Sequence, residues 1–404
     1  MTETTHTLVI GAGQAGVATS THLQKQGVPH IVLERDRIAE RWRSERWDSL
    51  VANGPAWHDR FPDAEFTELD PDAFAPKESV ADYFQRFAGD RSLPIRTGVA
   101  VTKLERQGDG FRATTAEGVI EAKNVVVATG PFQKPVIPTV VTDPGIVQMH
   151  SNAYRNPEAL PAGAVLVVGA GSSGAQIAEE LVRAGRKVYL SLGPHDRPPR
   201  RYRGQDFVWW LGKLGKWDMK APAPGTEHIT IAVSGAYGGA TMDFRRLAGL
   251  GVTLLGRAGD YRDGVLRFAN DLRTNIENGD RNYLSVLDEA DAYVKAEGLD
   301  LPEESQARNL LPLPDCVTHP TLSLDLHKEG ITSIIWATGF KLDFGWIDID
   351  LFEGDGRPRH KEGVSIIPGL YFVGLPWLSC RGSSFIWGAW KDSERLAGLI
   401  AARG

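Results

Sequence analysis

The chain has 404 residues, 42% of them hydrophobic and 24% charged, with a formal net charge of −6. This composition is that of a soluble globular protein, and the length calls for two to three domains. The acidic balance excludes a basic nucleic-acid surface. Two cysteines far apart in sequence, Cys316 and Cys380, exclude a disulfide scaffold, a cysteine-built zinc site and a C-x-x-C redox pair; no metal site is expected.

The first predicted strand begins near Thr7, so no signal or transit peptide is expected ahead of it. No apolar run approaches the roughly 20 residues that span a bilayer. A cytoplasmic protein without a membrane partner is the expectation. That strand, Leu8-Val-Ile, runs into Gly11-Ala-Gly13-Gln14-Ala15-Gly16, and a helix over about 15–26 follows. In such a fingerprint Gly11 allows a tight turn, Gly13 lets backbone approach a pyrophosphate, and Gly16 lets helix pack on strand. The helix N-terminus, opened by Gln14 and Ala15, offers N–H donors and a positive dipole end to phosphates. A second strand, His30–Glu34, ends in an acid. Glu34, with Arg35 beside it, stands where a dinucleotide fold puts the carboxylate that accepts from ribose hydroxyls. A plain surface glutamate is the alternative.

Residues 40–70 are irregular and aromatic, with Trp42, Trp47, Trp57, Phe61 and Phe66. Helical spacing returns over Lys77–Ala88, followed by strand-like segments around 95–104, 111–115 and 119–121. Val125-Val-Val-Ala-Thr129-Gly130 then reads as a buried parallel strand.

A second fingerprint follows: Leu166-Val-Val-Gly169-Ala-Gly171-Ser172-Ser173-Gly174, then a helix over 175–184 and a strand over 187–191 ending at Ser191. One such motif is weak evidence, since any tight strand-to-helix turn can call for glycines. Two imply two dinucleotides held face to face, as hydride transfer from nicotinamide to flavin requires. The copies differ one strand later. Leu192 stands where the first has Glu34, and Arg197, Arg200 and Arg201 come next. An acid repels a 2′-phosphate, whereas guanidinium groups pair with it. The first site therefore reads as FAD and the second as NADPH; a solvated arginine loop is the alternative.

Residues 203–330 are the least legible. Phe207, Trp210, Leu211, Leu214 and Trp217 form a helical stripe, read as core or substrate-lining surface in preference to a membrane anchor. Helical spacing recurs over 284–297, and 303–321 reads as a connector. Ser333–Gly339 repeats the pattern of Val125–Gly130, Gly369–Gly374 is one more buried strand, and a helix over about 390–402 closes the chain. The expected architecture is α/β: two Rossmann-like dinucleotide-binding domains, the NADPH domain inserted into the FAD domain. The expected boundaries are 1–154 for the first part of the FAD domain, 155–330 for the NADPH domain with a helical and loop insert at 203–325, and 331–404 for the rest of the FAD domain.

With these residues laid out, the chain resembles the class B flavin-dependent monooxygenases, which include flavin-containing monooxygenases, indole-3-pyruvate monooxygenases and Baeyer–Villiger enzymes. The resemblance follows the dinucleotide framework and is weak over roughly 215–325. Ile38-Ala-Glu-Arg-Trp42 and Trp47-Asp-Ser-Leu-Val-Ala-Asn53-Gly-Pro55 are similar to the family segment that runs along the flavin and contributes an Asn to the oxygen site. Gly145-Ile-Val-Gln-Met-His150-Ser-Asn-Ala-Tyr154 resembles the family's F-x-G-x-x-x-H-x-x-x-[YF] junction signature. It departs from it in having Pro144 for the Phe and a Gly one position early. The resemblance leaves His150 either structural or catalytic.

The resemblance implies that NADPH reduces FAD, that reduced FAD adds dioxygen at C4a, and that the resulting C4a-peroxyflavin oxygenates a small organic substrate. It assigns the catalytic role to Asn53, whose neutral amide can donate hydrogen bonds; an Asn-Gly turn is the alternative. Residues 43–55 lack the Tyr-Pro-Gly context of Baeyer–Villiger enzymes. Oxygenation of nitrogen or sulfur, or oxidation of a 2-oxo acid, is therefore favoured. The rivals are an NADPH-dependent flavin reductase passing electrons to a partner, and a regulatory protein that only binds nucleotides. Substrate and dioxygen are the expected partners, and a homodimer is left open.

Overall fold

The computed structural model describes residues 2–221 and 230–403. Two parallel-centred sheets organise it. The first runs, in spatial order, Ile347–Asp348, Val101–Gln107, Gly110–Thr115, Gly118–Val127, Thr2–Ile10, His30–Leu33 and Ile95–Arg96, and Leu370–Phe372 also pairs with Gly118–Val127. Leu8 and Val9 are fully buried and Ile10 nearly so, because parallel strands covered on both faces need apolar side chains at every position. Ile10 lies opposite both Leu33 and Val127, which places the first glycine loop at the C-terminal edge of the sheet. Helix Gln14–Lys25 packs there against the closing helix Ile386–Arg403, with Thr19 and Ser393 sharing a buried hydroxyl hydrogen bond of 3.0 Å.

The second sheet runs Thr253–Leu255, Val188–Ser191, Ala164–Val168, Ile331–Trp336 and Val147–His150, all parallel. Helix Ser172–Arg183 follows its glycine loop. The α/β class and the pair of inserted dinucleotide folds are as the sequence predicts. The boundaries shift. Ile331–Trp336 belongs to the second sheet, not to the returning first fold, and Val147–His150 crosses over before residue 155. Ile334, Ile335 and Trp336 are at most 1% exposed, and the strand pairs with Ala164–Val168 on one edge and Val147–His150 on the other. The chain passes between the folds along Lys134–Pro135 and Phe340–Lys341, which pair antiparallel.

The stretch after Ser191 holds helices Phe207–Lys213, Phe244–Gly249 and Leu272–Glu297 and a small sheet of Ala258–Arg262, Val265–Phe268 and Ser323–Asp325. The aromatic stripe is core: Trp210 is fully buried and Trp217 nearly so. Asp206 caps its helix by accepting from the Val208 N–H at 3.0 Å. The long helix begins at Leu272, well before the predicted 284. Its first half buries Asn275 and Asp280 beside Leu272 and Ile276, and this polar interruption hides the helical period. No helix among the described residues is long and apolar enough to cross a membrane.

The aromatic segment 40–70 joins the folds. Trp47 and Leu50 pack into the core of the second fold with Val165, Ile177 and Phe244. Phe61 and Phe66 pack into the first with Tyr83, Phe84, Phe87 and Trp390. Residues 51–55, between these anchors, are thereby held at the seam.

Candidate functional site between two glycine cradles

The two glycine loops have the same backbone. Gly11 has φ of +106° and Gly169 +130°, values open to glycine and hardly to any other residue. A Cβ at Gly11 would lie 2.7 Å from the Ala128 carbonyl oxygen, and one at Gly169 would strike the Ala337 carbonyl. Gly16 and Gly174 sit hard against the carbonyls of Gly11 and Gly169, so helix and strand meet as the fingerprint demands. The small Ala-Thr-Gly ends at 128–130 and 337–339 are what each loop rests on.

In the first cradle a Cβ at Gly13 would meet nothing within 4 Å. This is the empty space a pyrophosphate requires beside backbone donors. Glu34 closes the far side: its carboxylate accepts from Ala12 N–H at 2.7 Å and from Asp36 N–H at 2.9 Å, directly beyond the loop. An open cleft of about 440 Å³ continues past Asp36, Arg37, Glu40, Thr97 and Gly98. Gln14 donates to the Ser384 carbonyl at 2.7 Å, while Ala15 packs against Gly374. Arg35 is exposed beside Asp36, Trp42 lies between the two cores, and Thr129 accepts from Gln133. Of the first-cradle residues named from sequence, Gly11, Gly16 and Glu34 meet around the loop, and none of the named residues lines the open cleft beyond it.

The second set is split. Ser172 and Ser173 open the helix, but Ser172 is occupied: its N–H and its hydroxyl both donate to the Ile231 carbonyl at 2.9 Å. Thr230 and Ile231 stand 3.6 and 3.9 Å from a Cβ built on Gly171. Ser191 is buried, donating to Gly256 and accepting from Ala258, so it is not available to a nucleotide. Arg197 and Arg200 are each 2% exposed. Arg197 pairs with Asp280 at 2.6 Å, in a cluster completed by Arg245 and Asp243. Arg200 pairs with Asp206. Removing Arg200 would strand the buried Asp206 carboxylate at about 3–5 kcal/mol, more than the roughly 1.5–3 kcal/mol that a charge-assisted hydrogen bond returns, while Arg197 shares Asp280 with Arg245. Both are structural cations, contrary to the expectation from sequence. Arg201 alone of the three is exposed.

Asn53 lies between the folds. Its side-chain oxygen accepts from Gln176 Nε2 at 2.8 Å, and its carbonyl accepts from Arg200. Asp59 ties the turn from the other side, accepting from Gly54 N–H at 2.9 Å and from His58 at 2.7 Å. The His58 ring stacks on Trp217 and meets Trp57 and Trp387 edge-on, while Asn53 itself is exposed. His150 is buried; its ring nitrogens meet Gly339 and Asn152 at 2.9 and 3.0 Å, and burial lowers its pKa. It fastens the crossover as a structural histidine. Sequence reasoning missed Gln176, Asp59 and His58. The available signal for Gln176 was a long polar residue on the apolar face of the second fingerprint helix.

Comparison with known proteins bears on this geometry. The sequence profile of the family described as pyridine nucleotide-disulphide oxidoreductase matches residues 8–203. A CzcO-like oxidoreductase of Geobacillus kaustophilus (strain HTA426) is 33% identical over 96% of both chains. An indole-3-pyruvate monooxygenase of Oryza sativa subsp. japonica is 31% identical over 45% of this chain and 46% of its own. The chain belongs to the family of CzcO-like oxidoreductases. A flavin-containing monooxygenase from Stenotrophomonas maltophilia has the same fold, with a TM-score of 0.69 at 16% identity over 99% of each chain. As a member of this oxidoreductase family the chain is an enzyme. Its cofactors are FAD and NADPH, and two glycine cradles fit two such nucleotides.

Proposed function

We propose that the chain oxygenates a small organic molecule, with FAD on the first cradle, NADPH on the second and Asn53 at the oxygen site between them. Bound FAD supplies the redox chemistry: it takes hydride from NADPH and activates dioxygen, one atom passing to substrate and the other leaving as water. The protein's part is to bind, orient and exclude water. Gly13 and the helix behind it receive the FAD pyrophosphate, and Glu34 accepts from its ribose. Asn53 donates from a neutral amide, so it stabilises developing negative charge on oxygen without giving up a proton. The observation that carries the reading is Asn53, held at the seam by both folds and with the amide nitrogen left over.

The absence of Tyr-Pro-Gly in 43–55 favours a nitrogen, sulfur or 2-oxo acid substrate over a Baeyer–Villiger ketone. The relative acting on indole-3-pyruvate supports the 2-oxo acid option. A second reading, an NADPH-dependent reductase, draws on the description of the matching family. The two cysteines are both free, which argues against only the version of that reductase that works through a cysteine pair.

Anaerobic reduction by NADPH, followed by oxygen in a stopped-flow mixer, separates the readings. Slow return of the oxidised flavin spectrum with product formed supports the monooxygenase. Immediate return with stoichiometric hydrogen peroxide supports the reductase, and failure to reduce leaves a nucleotide-binding regulator. Asn53→Ala should still be reduced but lose oxygenation on the order of 100-fold, as when one preorganised donor is removed. Unchanged oxygenation would remove Asn53 from the chemistry.

A further inference from the structure

We propose that Gln176, on the second fingerprint helix, is a positioning residue that decides which end of the Asn53 amide faces the oxygen site. The inference rests on the role of Asn53 given above. It follows from hydrogen-bond logic. The Val233 carbonyl can only accept, so the Gln176 atom 3.0 Å from it must be the amide nitrogen. The same nitrogen lies 2.8 Å from the Asn53 side chain. Its second hydrogen needs an acceptor, which fixes that Asn53 atom as Oδ1 and leaves Nδ2 with both hydrogens to donate elsewhere.

The rest of the turn is already immobilised. Arg200, anchored by Asp206, donates to the Asn53 carbonyl. A Cβ at Gly235 would strike the Ala52 carbonyl, so the second fold lies against this backbone with no slack. Ala52 N–H donates to Ala75 at 2.7 Å. The remaining freedom is the terminal amide torsion of Asn53, a broad and roughly two-fold rotor. Gln176, itself 6% exposed, removes it. Turned over, the amide would present a carbonyl oxygen to developing negative charge and repel what it is meant to hold. The donor end is thus chosen by the nicotinamide fold and supplied by the flavin fold.

Two substitutions test this in graded fashion. Gln176→Met keeps the volume but no donor, so the Asn53 rotor is released and the donor-out population falls about twofold. Gln176→Glu presents only acceptors, recruits Nδ2 inward and turns Oδ1 outward. It should match Asn53→Ala in the share of NADPH electrons released as hydrogen peroxide, a rise of about tenfold or more. The rate of anaerobic flavin reduction should move far less in all three. In the FAD-free protein, the Asn53 side-chain amide signal (assigned by its loss in Asn53→Ala) should shift in Gln176→Met. Wild-type peroxide release in Gln176→Glu, with Asn53→Ala raised, overturns the inference and leaves the role of Asn53 standing. If Asn53→Ala itself changes nothing, the oxygen-site reading falls, and an unmoved amide signal then overturns the orientation as well. Should Gln176→Glu fail to fold, Gln176→Met decides by the same two readouts.

Discussion

The two cradles share one backbone and differ in what lies over it. Gly11 and Gly169, Gly16 and Gly174 make the same turn against the same Ala-Thr-Gly shelf, yet Gly13 faces open space while Gly171 faces Thr230 and Ile231. A fingerprint therefore encodes the turn and the helix entry. Access is decided by a distant part of the chain, here the segment Thr230–Val233, which bonds to Ser172 and bridges to Asp196.

Glycine substitutions break the comparison most severely. Gly16→Ala and Gly174→Ala push a methyl into a backbone carbonyl that cannot step aside, so each should cost more than about 4 kcal/mol, read as loss of folded protein or of a cooperative melt. Gly13→Ala meets no atom and should change stability of the FAD-free protein by no more than about 0.5 kcal/mol. The same methyl sits where the pyrophosphate belongs, so flavin retention on a desalting column should collapse. Retained flavin would show that the open space is not the binding surface.

Next come the arginines. Asp206→Asn leaves the buried Arg200 guanidinium without its counter-charge, and the urea midpoint should fall by the equivalent of about 3–5 kcal/mol; Asp280→Asn should cost less, since Asp243 stays beside both arginines. Arg200→Ala should destabilise like Asp206→Asn and Arg197→Ala less, since Arg245 still pairs with Asp280, and neither should alter the preference for NADPH over NADH. Arg201→Ala, on an exposed side chain, should leave the melt alone and weaken NADPH by about tenfold relative to NADH, the worth of one charge-assisted contact. An unchanged ratio would mean that none of the three recognises the 2′-phosphate.

These arginines mark where the sequence stops being legible. Period, glycine spacing and the Glu34 offset are local, and from them both folds and the first glycine loop with its acid were legible. Arg197, Arg200 and Arg201 look alike until Asp206, Asp243 and Asp280 come back in space, the last of them from a helix whose buried polar residues disguise its period. Ile331–Trp336 was assigned to the wrong sheet for a related reason: an apolar parallel strand carries no mark of which neighbours it will join. The partners of Asn53 were hidden likewise, since Gln176 lies on the other fold.

Acid should sharpen the contrast between the helices. The first carries His22, where the second has Glu180. His22 is buried edge-on against Trp390, its Nε2 lacks a partner among the described residues, and burial holds its pKa down to about 4 from 6.5. The unfolded chain thus binds a proton between pH 6.5 and 4 that the folded one refuses. Stability is full above pH 6.5 and falls as pH drops through that window, by roughly 3 kcal/mol at most. His22→Leu should flatten this part of the stability–pH curve, measured as the wild-type-minus-variant difference in urea midpoint at pH 7 and pH 5. Parallel curves would deny His22 the role.

The smallest effect tests the cover itself. Ser172 contributes three bonds to it: N–H to Ile231, hydroxyl to Ile231, and hydroxyl from Val233 at 3.2 Å. Ser172→Ala keeps the first and removes the others, loosening the segment by about 1 kcal/mol. If a pyrophosphate must take the Ser172 N–H from Ile231, that loosening is returned as affinity, and the NADPH KM should fall about fivefold with kcat little changed. Gln14 is the matching position in the open cradle. Its side chain also holds a carbonyl, that of Ser384, but none of the described residues covers Gly13, so Gln14→Ala should bring no gain in FAD affinity. A gain at one position and none at its equivalent would establish that one cradle is covered and the other not. A rise in the NADPH KM on Ser172→Ala would instead make the serine hydroxyl a ligand to the nucleotide, with the Ile231 carbonyl standing in for a phosphate oxygen.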